Sequence, residues 1–502
     1  MPATEPAPWR LLLILSGVAV LIHVLTNGQY GYFRDELYFL ACGRHVDWGY
    51  VDHAPLIGWL AWLQIHVIGT SMHAMGLLPA LSAGAKVLLT GLIARELGGR
   101  RFAILLACLG VLLVPVYLII DNQFAMNTFE PLVWMGCVLV LLVALRRNDP
   151  RLLVWFGVIA GAGLETKHST LFFGFAIVVG LLHSRERRLL WNPWMWLAGL
   201  AAVAIFAPNL IWQIQHHWPT LEDLSNVRRM HKNVELPPLA FLGEQVLMLN
   251  PVNILIWLPG LWFMLRHKRF LGFTYLALLG VMMALHAKDY YVAPIYPMLF
   301  AAGGVFWESL SENRRRWVRV VLPRVIVISA LPMIPVVLPI LPPEKLIAYQ
   351  KFIGLAPTRT EVGMNSPLQQ YFSDEFGWPE MVKAVAGVYW SLPPADRARA
   401  GIYTQNYGEA GAVDFFGPQF GLPPAISGHQ TYFYWGPRQY TGDVLIVLND
   451  SRKSLEEHCA AVSDGPEVGH PLGMSWEHFR IYVCRGLHPP LNELWPQAKH
   501  WN

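Results

Sequence analysis

The sequence predicts a mainly α-helical fold: a polytopic bundle of membrane-spanning helices followed by a small C-terminal α/β domain. Two observations carry this prediction. Of the 502 residues, 54% are hydrophobic and only 14% are charged, whereas about 25% of residues are charged in a typical soluble domain. The long apolar runs also end at Pro342. A disordered chain and a disulfide scaffold are therefore excluded, and an ordinary soluble enzyme is not expected.

The front of the chain contains about eleven apolar runs of membrane-spanning length. They lie near residues 10–27, 76–95, 102–120, 129–145, 152–166, 168–183, 194–212, 244–265, 270–286, 293–309 and 320–341. The run after Arg10 has no cleavage site of small residues behind it, which is typical of a signal anchor. We therefore expect residues 1–342 to form a transmembrane catalytic domain and residues 343–502 a second domain.

Charge sets the predicted orientation. Residues 1–342 carry 26 Lys and Arg against 18 Asp and Glu, and residues 343–502 carry 12 against 16. Most of the basic residues of the front lie in every second connection, near 95–101, 146–151, 185–188, 266–269 and 314–319. By the positive-inside rule these connections and the N-terminus are cytoplasmic, and an odd number of spans places 343–502 outside. The basic residues form no stripe, so no nucleic-acid partner is expected.

The remaining ionisable residues lie at the outer ends of the predicted spans. The first outer loop, about 28–75, has apolar residues at helical spacing, which predicts helices lying in the membrane interface. The outer connections carry the candidate site residues Asp35, Glu36, Asp121, Lys167, His168, His286, Lys288, Tyr290 and Tyr291. Ionisable residues at membrane depth are functional candidates by default. Carboxylates and cations together predict an outward cavity for an anionic substrate with a lipid tail.

Transfer of a sugar from a lipid phosphate would suit this set of residues. A carboxylate, here Asp35, would take the proton of the acceptor hydroxyl. Cations, here Lys167 and Lys288, would stabilise the departing phosphate, which needs no general acid. Each residue has a simpler alternative: Asp35 and Glu36 as a solvated acidic pair, Asp121 as a helix cap, and the two lysines as snorkelling side chains.

Three further features are left open by the residues alone. Asp52 and His53 are candidate ligands for a divalent metal ion, although no ligand spacing supports them. Lys86 lies in the middle of a predicted span, where a cavity role and a buried ion pair are equally plausible. Cys459 and Cys484 are the only cysteines after residue 342, and they could form a disulfide in an oxidising compartment.

The motifs around these residues resemble those of a known family. GYFRDELYFLACGRHVDWGYVDHAPLIGWLAWL, DNQFAMNTFEPLVW, GLETKHST and HAKDYYVAPIYP are similar, in this order, to segments of bacterial relatives of the protein O-mannosyltransferases. That group includes the lipid A 4-amino-4-deoxy-L-arabinose transferases and belongs to the GT-C glycosyltransferase superfamily. The similarity covers most of residues 28–300, and the Asp-Glu pair of the first outer loop is its most specific element.

The resemblance implies a polyprenyl-phosphate sugar as donor and inversion at the anomeric carbon. It implies that Asp35 is the catalytic residue and that Asp121 is a second acidic position. It places Lys167, His286 and Lys288 at the lipid phosphate. Asp52 and His53 fall near an acidic residue and a Lys that act in metal and substrate binding in an arabinose transferase, and the His is a departure from that pattern. The fourth outer loop is too short for a MIR-type sugar-binding insert, which leaves the acceptor open.

The C-terminal region predicts strands at 400–404, 444–447 and 480–483, with helices at 380–391 and 409–416 between them. We therefore expect a bacterial inner-membrane glycosyltransferase with an outward active site. The first alternative is a transporter or flippase of a lipid-linked anion, which should show inverted repeats and broken helices at mid-membrane. The second is a non-catalytic assembly protein.

Overall fold

The computed structural model describes residues 8–312, 315–358, 361–362 and 365–502. The chain folds into two compact units. The first consists of Met1–Asn27, His73–Ile211 and Glu235–Ile340, and the second of Gly28–Met72, Trp212–Val234 and Leu341–Asn502. Arg314, one of the basic residues used to predict orientation, lies outside the described residues.

The first unit is helical throughout its described part. Its helices are Trp9–Thr26, Leu77–Glu96, Arg101–Leu112, Pro115–Ile120, Met126–Arg147, Leu153–Thr166, Thr170–Leu182, Pro193–Gln215, Pro238–Met248, Ile254–His267, Arg269–Ala284, Tyr296–Ser311, Val318–Ala330 and Ile334–Val337. Short 3-10 turns lie at Pro150–Leu152, Arg185–Trp191, Pro251–Asn253 and Asp289–Ile295. The apolar runs of the sequence therefore form helices, as predicted.

Four helices of the described residues are long and apolar enough to cross a membrane: Trp9–Thr26, Met72–Glu96, Met126–Arg147 and Pro193–Gln215. The helices Pro238–Met248 and Pro251–His267 would together make a fifth span if they count as one. These two helices are bent by 97° relative to each other. The predicted run 244–265 crosses this bend. The chain turns there because Asn250 has a positive φ of 66° and Pro251, which lacks an N–H, starts a new helical segment. The count of about eleven spans stays a prediction.

Small residues allow the helices of the first unit to pack closely. A Cβ atom at Gly180 would lie 2.2 Å from the carbonyl oxygen of Phe270, and one at Gly260 would lie 2.0 Å from that of Leu299. Gly157 makes a similar approach, 2.0 Å to the carbonyl oxygen of Ala198. Close backbone approach through small residues is typical of membrane helix packing, where van der Waals contact replaces the hydrophobic effect.

The second unit is a mixed α/β structure. Its first-loop helices are Arg34–Arg44 and Leu56–Leu63, where the helical spacing of apolar residues predicted them; their location in the membrane interface stays a prediction. Its other helices are Pro219–Arg229, Pro343–Phe352, Gln370–Ser373, Trp378–Ser391, Pro394–Arg397, Tyr407–Phe416, Tyr432–Trp435, Arg452–His458 and Leu491–Ala498. The domain boundary predicted at residue 342 stays a prediction.

A five-stranded sheet forms the centre of residues 400–487. Its strands are β1 (Ala400–Thr404), β2 (Ala425–Ser427), β3 (Val444–Leu448), β4 (Cys459–Val468) and β5 (Phe479–Leu487), in the spatial order β2-β1-β3-β5-β4. β1 is parallel to β2 and β3, whereas β5 is antiparallel to β3 and β4. β3 is buried along its whole length, which explains its continuous apolar sequence.

The strand predictions at β1, β3 and β5 are confirmed, and two strands were missed. β2 is only three residues long. β4 is an exposed edge strand with a register shift between Asp464 and Glu467, so it lacks the apolar alternation that marks a half-buried strand. Cys459 begins β4, and it is joined by a disulfide to Cys484 of β5, with the two Cα atoms 5.6 Å apart.

Candidate active site

Asp35 lies in the first turn of the helix Arg34–Arg44. A helix N-terminus stabilises negative charge because its first N–H groups have no partner within the helix. The Asp35 side chain is 29% exposed. Its Oδ1 accepts hydrogen bonds from the Tyr407 hydroxyl at 2.9 Å and from Arg34 Nε at 3.3 Å. In the described part of the chain Oδ2 accepts none, so one oxygen of this carboxylate is held and the other is available.

Glu36, its neighbour in the sequence, has a different environment. It is buried, and its Oε2 accepts a hydrogen bond from the backbone N–H of Phe33 at 3.0 Å. This contact satisfies a backbone donor just before the helix, as the Glu of a capping box does. The geometry therefore supports a structural role for Glu36, and the catalytic role given to it from the sequence stays a prediction.

The sheet of the second unit explains how Tyr407 reaches Asp35. Tyr407 begins the helix that follows the carboxyl end of β1, where Asn406 caps the helix by accepting a hydrogen bond from the N–H of Glu409 at 2.9 Å. His429 and Thr431 follow the carboxyl end of the parallel strand β2. The carboxyl ends of parallel strands meet at one edge of a sheet, so this edge gathers these polar side chains.

Two glycines bring the helix Tyr407–Phe416 against the helix Arg34–Arg44. A Cβ atom at Gly408 would lie 2.6 Å from Cγ of Arg34, and one at Gly411 would lie 2.8 Å from the carbonyl carbon of Leu37. At the other end of the contact, Arg44 Nη1 donates to the carbonyl oxygen of Asp414 at 2.7 Å. The spacing of Gly408 and Gly411 therefore serves helix packing.

Arg34 is a buried cation among acidic groups. Its guanidinium lies 3.7 Å from Glu361 and 3.9 Å from Asp374, and it stacks over the ring of Trp476 at 4.8 Å. Asp374 is 3% exposed. Burial raises the pKa of Asp374 to about 7, although the nearby Arg34 lowers it. Arg34 thus partly offsets the cost of burying these carboxyl groups next to Asp35.

Asp52 and His53 each have partners within the second unit. The Asp52 carboxylate accepts a hydrogen bond from the Tyr38 hydroxyl at 2.7 Å, and burial raises its pKa to about 7. His53 Nδ1 lies 2.9 Å from the carbonyl oxygen of Ala54 and Nε2 lies 3.6 Å from Cys42 Sγ, and burial lowers the pKa of His53 to about 4. No group of three His, Cys, Asp or Glu residues suited to a metal ion occurs among the described residues. The role of Asp52 and His53 as metal ligands stays a prediction.

Asp121 belongs to the first unit and explains Lys86. Both are buried, and Lys86 Nζ lies 2.7 Å and 2.8 Å from the two carboxylate oxygens of Asp121. The ammonium also lies 4.4 Å from the centre of the Tyr117 ring. This is a buried ion pair with its charges balanced, which is one of the two roles considered for Lys86. The catalytic role given to Asp121 from the sequence stays a prediction.

A second polar cluster of the first unit surrounds Lys167. Its Nζ donates to Asn127 Oδ1 at 2.7 Å and lies 3.3 Å from a carboxylate oxygen of Glu130. The same ammonium lies 4.0 Å from the centre of the Tyr291 ring. Two of the residues predicted to bind the donor, Lys167 and Tyr291, are therefore in contact. His168 faces elsewhere, with Nε2 at 3.1 Å from Asn209 Oδ1.

The remaining candidates lie in the connection that leads to this cluster. His286 is exposed and has a positive φ of 51°. Lys288 is half-buried and precedes the 3-10 turn Asp289–Ile295. Tyr290 packs edge-on against Tyr291, with ring centres 5.1 Å apart. Asp121 and Lys288 belong to the first unit and Asp35 to the second, so a cavity shared by all three stays a prediction.

Three residues around Asp35 were not predicted from the sequence: Arg34, Asp374 and Tyr407. Tyr407 and Asp374 lie more than 300 positions away from Asp35 in the chain, and a single sequence does not pair such distant residues. One signal was present: two glycines three positions apart in a helix, Gly408 and Gly411, lie on one face and indicate close contact with another element.

Comparison with known proteins gives two kinds of similarity. Residues 52–212 match the family model described as dolichyl-phosphate-mannose-protein mannosyltransferase. This segment contains Asp52, Asp121 and Lys167, whereas Asp35 and Lys288 lie outside it. A search among curated protein sequences finds no match.

Among solved structures, the fold is similar to that of ArnT from Cupriavidus metallidurans. The match has a TM-score of 0.59 and 16% identity both to ArnT bound to undecaprenyl phosphate and to ArnT in the apo state. Each match covers 95% of this chain. The matches cover 98% of the ArnT chain bound to undecaprenyl phosphate and 97% of the apo ArnT chain. The oligosaccharyltransferase of Archaeoglobus fulgidus matches at a TM-score of 0.45 and 11% identity, over 80% of this chain and 63% of that chain. The family match over residues 52–212 and the fold shared with ArnT confirm the resemblance that the sequence motifs indicate.

Proposed function

We propose that this protein is an integral-membrane glycosyltransferase that moves a sugar from a polyprenyl-phosphate donor to a hydroxyl group outside the cytoplasm. The mannosyltransferase family match and the ArnT fold support the reaction class. The undecaprenyl phosphate in the ArnT structure supports the donor class. The acceptor is a lipid, glycan or protein hydroxyl, and the transferred sugar is a hexose or a pentose.

The observation that carries the proposal is the geometry of Asp35. Its side chain is partly exposed, with Oδ1 held by Tyr407 and Arg34 and Oδ2 without a hydrogen bond in the described part of the chain. A general base needs a fixed orientation and a free lone pair within reach of the proton that it takes. Asp35 meets both requirements.

In the proposed reaction the acceptor oxygen attacks the anomeric carbon of the donor. The bond from that carbon to the phosphate oxygen breaks, and the phosphate leaves with the electron pair. The proton of the acceptor hydroxyl passes to Asp35 as the new bond forms. Attack opposite to the leaving phosphate inverts the anomeric centre, and no general acid is required because the polyprenyl phosphate leaves as an anion.

We propose the cluster at Lys167 as the candidate phosphate-binding group, together with Lys288 and His286. Cations stabilise negative charge that develops on a leaving group. Lys167 already neutralises Glu130, so a bound phosphate would compete with that carboxylate for the ammonium. His168, Tyr290 and Tyr291 are proposed as further parts of the donor site on the strength of the motifs alone.

The proposed location is the bacterial inner membrane, with the N-terminus in the cytoplasm and residues 343–502 on the outer side. This orientation follows from the basic connections of the front of the chain. The disulfide between Cys459 and Cys484 supports an oxidising compartment for the C-terminal region, because disulfides are rare in the cytoplasm.

The test is donor turnover by the purified protein in detergent or lipid nanodiscs. Radiolabelled polyprenyl-phosphate hexoses and pentoses are supplied with a membrane extract as the source of acceptor, and free polyprenyl phosphate and the configuration of the product are measured. We expect release by the wild type, an inverted product, and loss of both with Asp35→Asn. Release that is unchanged in Asp35→Asn would remove Asp35 as the base. In proteoliposomes, movement of the intact donor across the bilayer without cleavage would favour the transport alternative.

A further inference from the structure

The C-terminal region contributes a tyrosine directly to the candidate base. The Tyr407 hydroxyl lies 2.9 Å from Oδ1 of Asp35, although the two residues are separated by 372 positions. The packing of the helix Tyr407–Phe416 against the helix Arg34–Arg44 brings the two side chains together. The contact places a hydrogen-bond donor from the C-terminal region on the carboxylate of the candidate base.

The Tyr407 side chain is fixed on several sides. Its ring packs against those of Tyr38 at 4.6 Å and His429 at 5.0 Å, and the Arg34 guanidinium lies 5.5 Å from its centre. The N–H of Tyr407 donates to His429 Nδ1 at 3.2 Å. A hydroxyl on a ring held in this way has one direction in which to donate its proton.

The direction of the hydrogen bond is also determined. Burial raises the pKa of Tyr407 well above its usual value; Arg34 lowers it, and the charge of Asp35 raises it further. The phenol therefore keeps its proton at neutral pH. Tyr407 is the donor, and the Asp35 carboxylate is the acceptor.

We infer that Tyr407 is a positioning residue for catalysis: its hydroxyl fixes Oδ1 of Asp35, with Arg34 as the second donor, so that Oδ2 receives the acceptor's proton. The inference rests on the proposed function of Asp35 as the general base. It gives the C-terminal region a defined part in the reaction. Tyr407 would act through the carboxylate and not on the sugar or the phosphate.

The experiment compares Tyr407→Phe with Tyr432→Phe. Tyr432 is the matched control, because its hydroxyl also donates to a carboxylate, Asp414 Oδ2, at 2.9 Å but makes no contact with Asp35. A hydrogen bond to a charged group contributes enough to lower kcat about 10- to 100-fold when it is removed. We expect that loss in Tyr407→Phe, with little change in the KM for the donor.

The split between kcat and KM separates positioning from a merely structural effect. Loss of positioning lowers kcat in Tyr407→Phe and leaves the KM for the donor unchanged. The control Tyr432→Phe should keep the kcat of the wild type. A second variant, Tyr407→3-fluorotyrosine, keeps the ring and a hydroxyl donor, so its kcat should stay close to that of the wild type even if the Phe variant folds poorly.

A wild-type kcat in Tyr407→Phe would overturn the inference. So would a folded 3-fluorotyrosine variant that loses kcat as much as the Phe variant does. The proposed function would survive either result as long as Asp35→Asn remains inactive. Full activity of Asp35→Asn, by contrast, would remove the proposed function itself.

Discussion

Removing one member of the Lys86–Asp121 ion pair should destabilise the protein more than removing both. The two side chains are 1% and 3% exposed, with their charged atoms 2.7 Å apart. The perturbations are Lys86→Met, Asp121→Asn and the double variant. Each single change leaves one charge buried beside a neutral group, whereas the double change removes both charges.

The magnitude follows from the distance and the burial. At an effective dielectric constant of about 20, two unit charges 2.7 Å apart attract each other by about 6 kcal/mol. The cost of removing both groups from water offsets much of this attraction. Losing a single partner of a buried pair therefore costs about 3–5 kcal/mol, and replacing both costs much less than the sum of the two losses.

The assay is thermal unfolding of the purified variants in detergent, followed by tryptophan fluorescence. We expect a large drop in Tm for each single variant and a partial recovery in the double variant. Strictly additive losses would refute the reasoning, because they would show that the two charges do not interact. Turnover of the double variant separates stability from chemistry: a stable but inactive double variant would assign Asp121 a chemical role.

Three other predictions concern the second unit. Gly411→Ala should lower the free energy of unfolding by about 1–3 kcal/mol and reduce turnover, because its Cβ would lie 2.8 Å from the backbone of the helix Arg34–Arg44. The control Gly387→Ala should be tolerated, because a Cβ there meets nothing within 4 Å. Melting curves of the two variants check both expectations. Cys459→Ser, or a reductant, should cost about 3 kcal/mol by opening a loop of 25 residues, measured as a fall in Tm. The pKa of Asp374 is about 7 in the folded protein and about 4 in the unfolded chain. Between these two pH values the folded state therefore binds more protons than the unfolded state, so the stability of the protein should fall as the pH rises from about 4 to about 7. Asp374→Asn should flatten the dependence of Tm on pH in that window.

The sequence was sufficient where composition or periodicity alone determines the structure. The apolar runs of the front predicted helices, and the buried strand β3 was visible in its continuous Val, Leu and Ile residues. The sequence was insufficient where backbone geometry breaks a long apolar run. The bend at Asn250 and Pro251 interrupts residues 244–265, where the apolar residues on both sides of the Asn-Pro pair predicted one span.

The site was predictable only in part. Asp35 was identified from its place after the first predicted span and from its motif. Its partners could not be identified, because Tyr407 reaches it through the packing of two helices that are distant in sequence. Lys86 shows the same limit. A lysine in an apolar run signals a buried partner, but only the folded helices reveal that the partner is Asp121.

The central claim is that Asp35 takes a proton during the transfer step. The most direct measurement is the single-turnover rate of donor cleavage in Asp35→Asn, together with donor binding by the same variant. Asp47→Asn is the matched control, because Asp47 lies in the same outer loop and accepts hydrogen bonds from Trp48 and Trp212. We expect a rate about 10²- to 10⁴-fold lower in Asp35→Asn with unchanged binding, and a normal rate in Asp47→Asn. A wild-type cleavage rate in Asp35→Asn would contradict the role of Asp35 as the base.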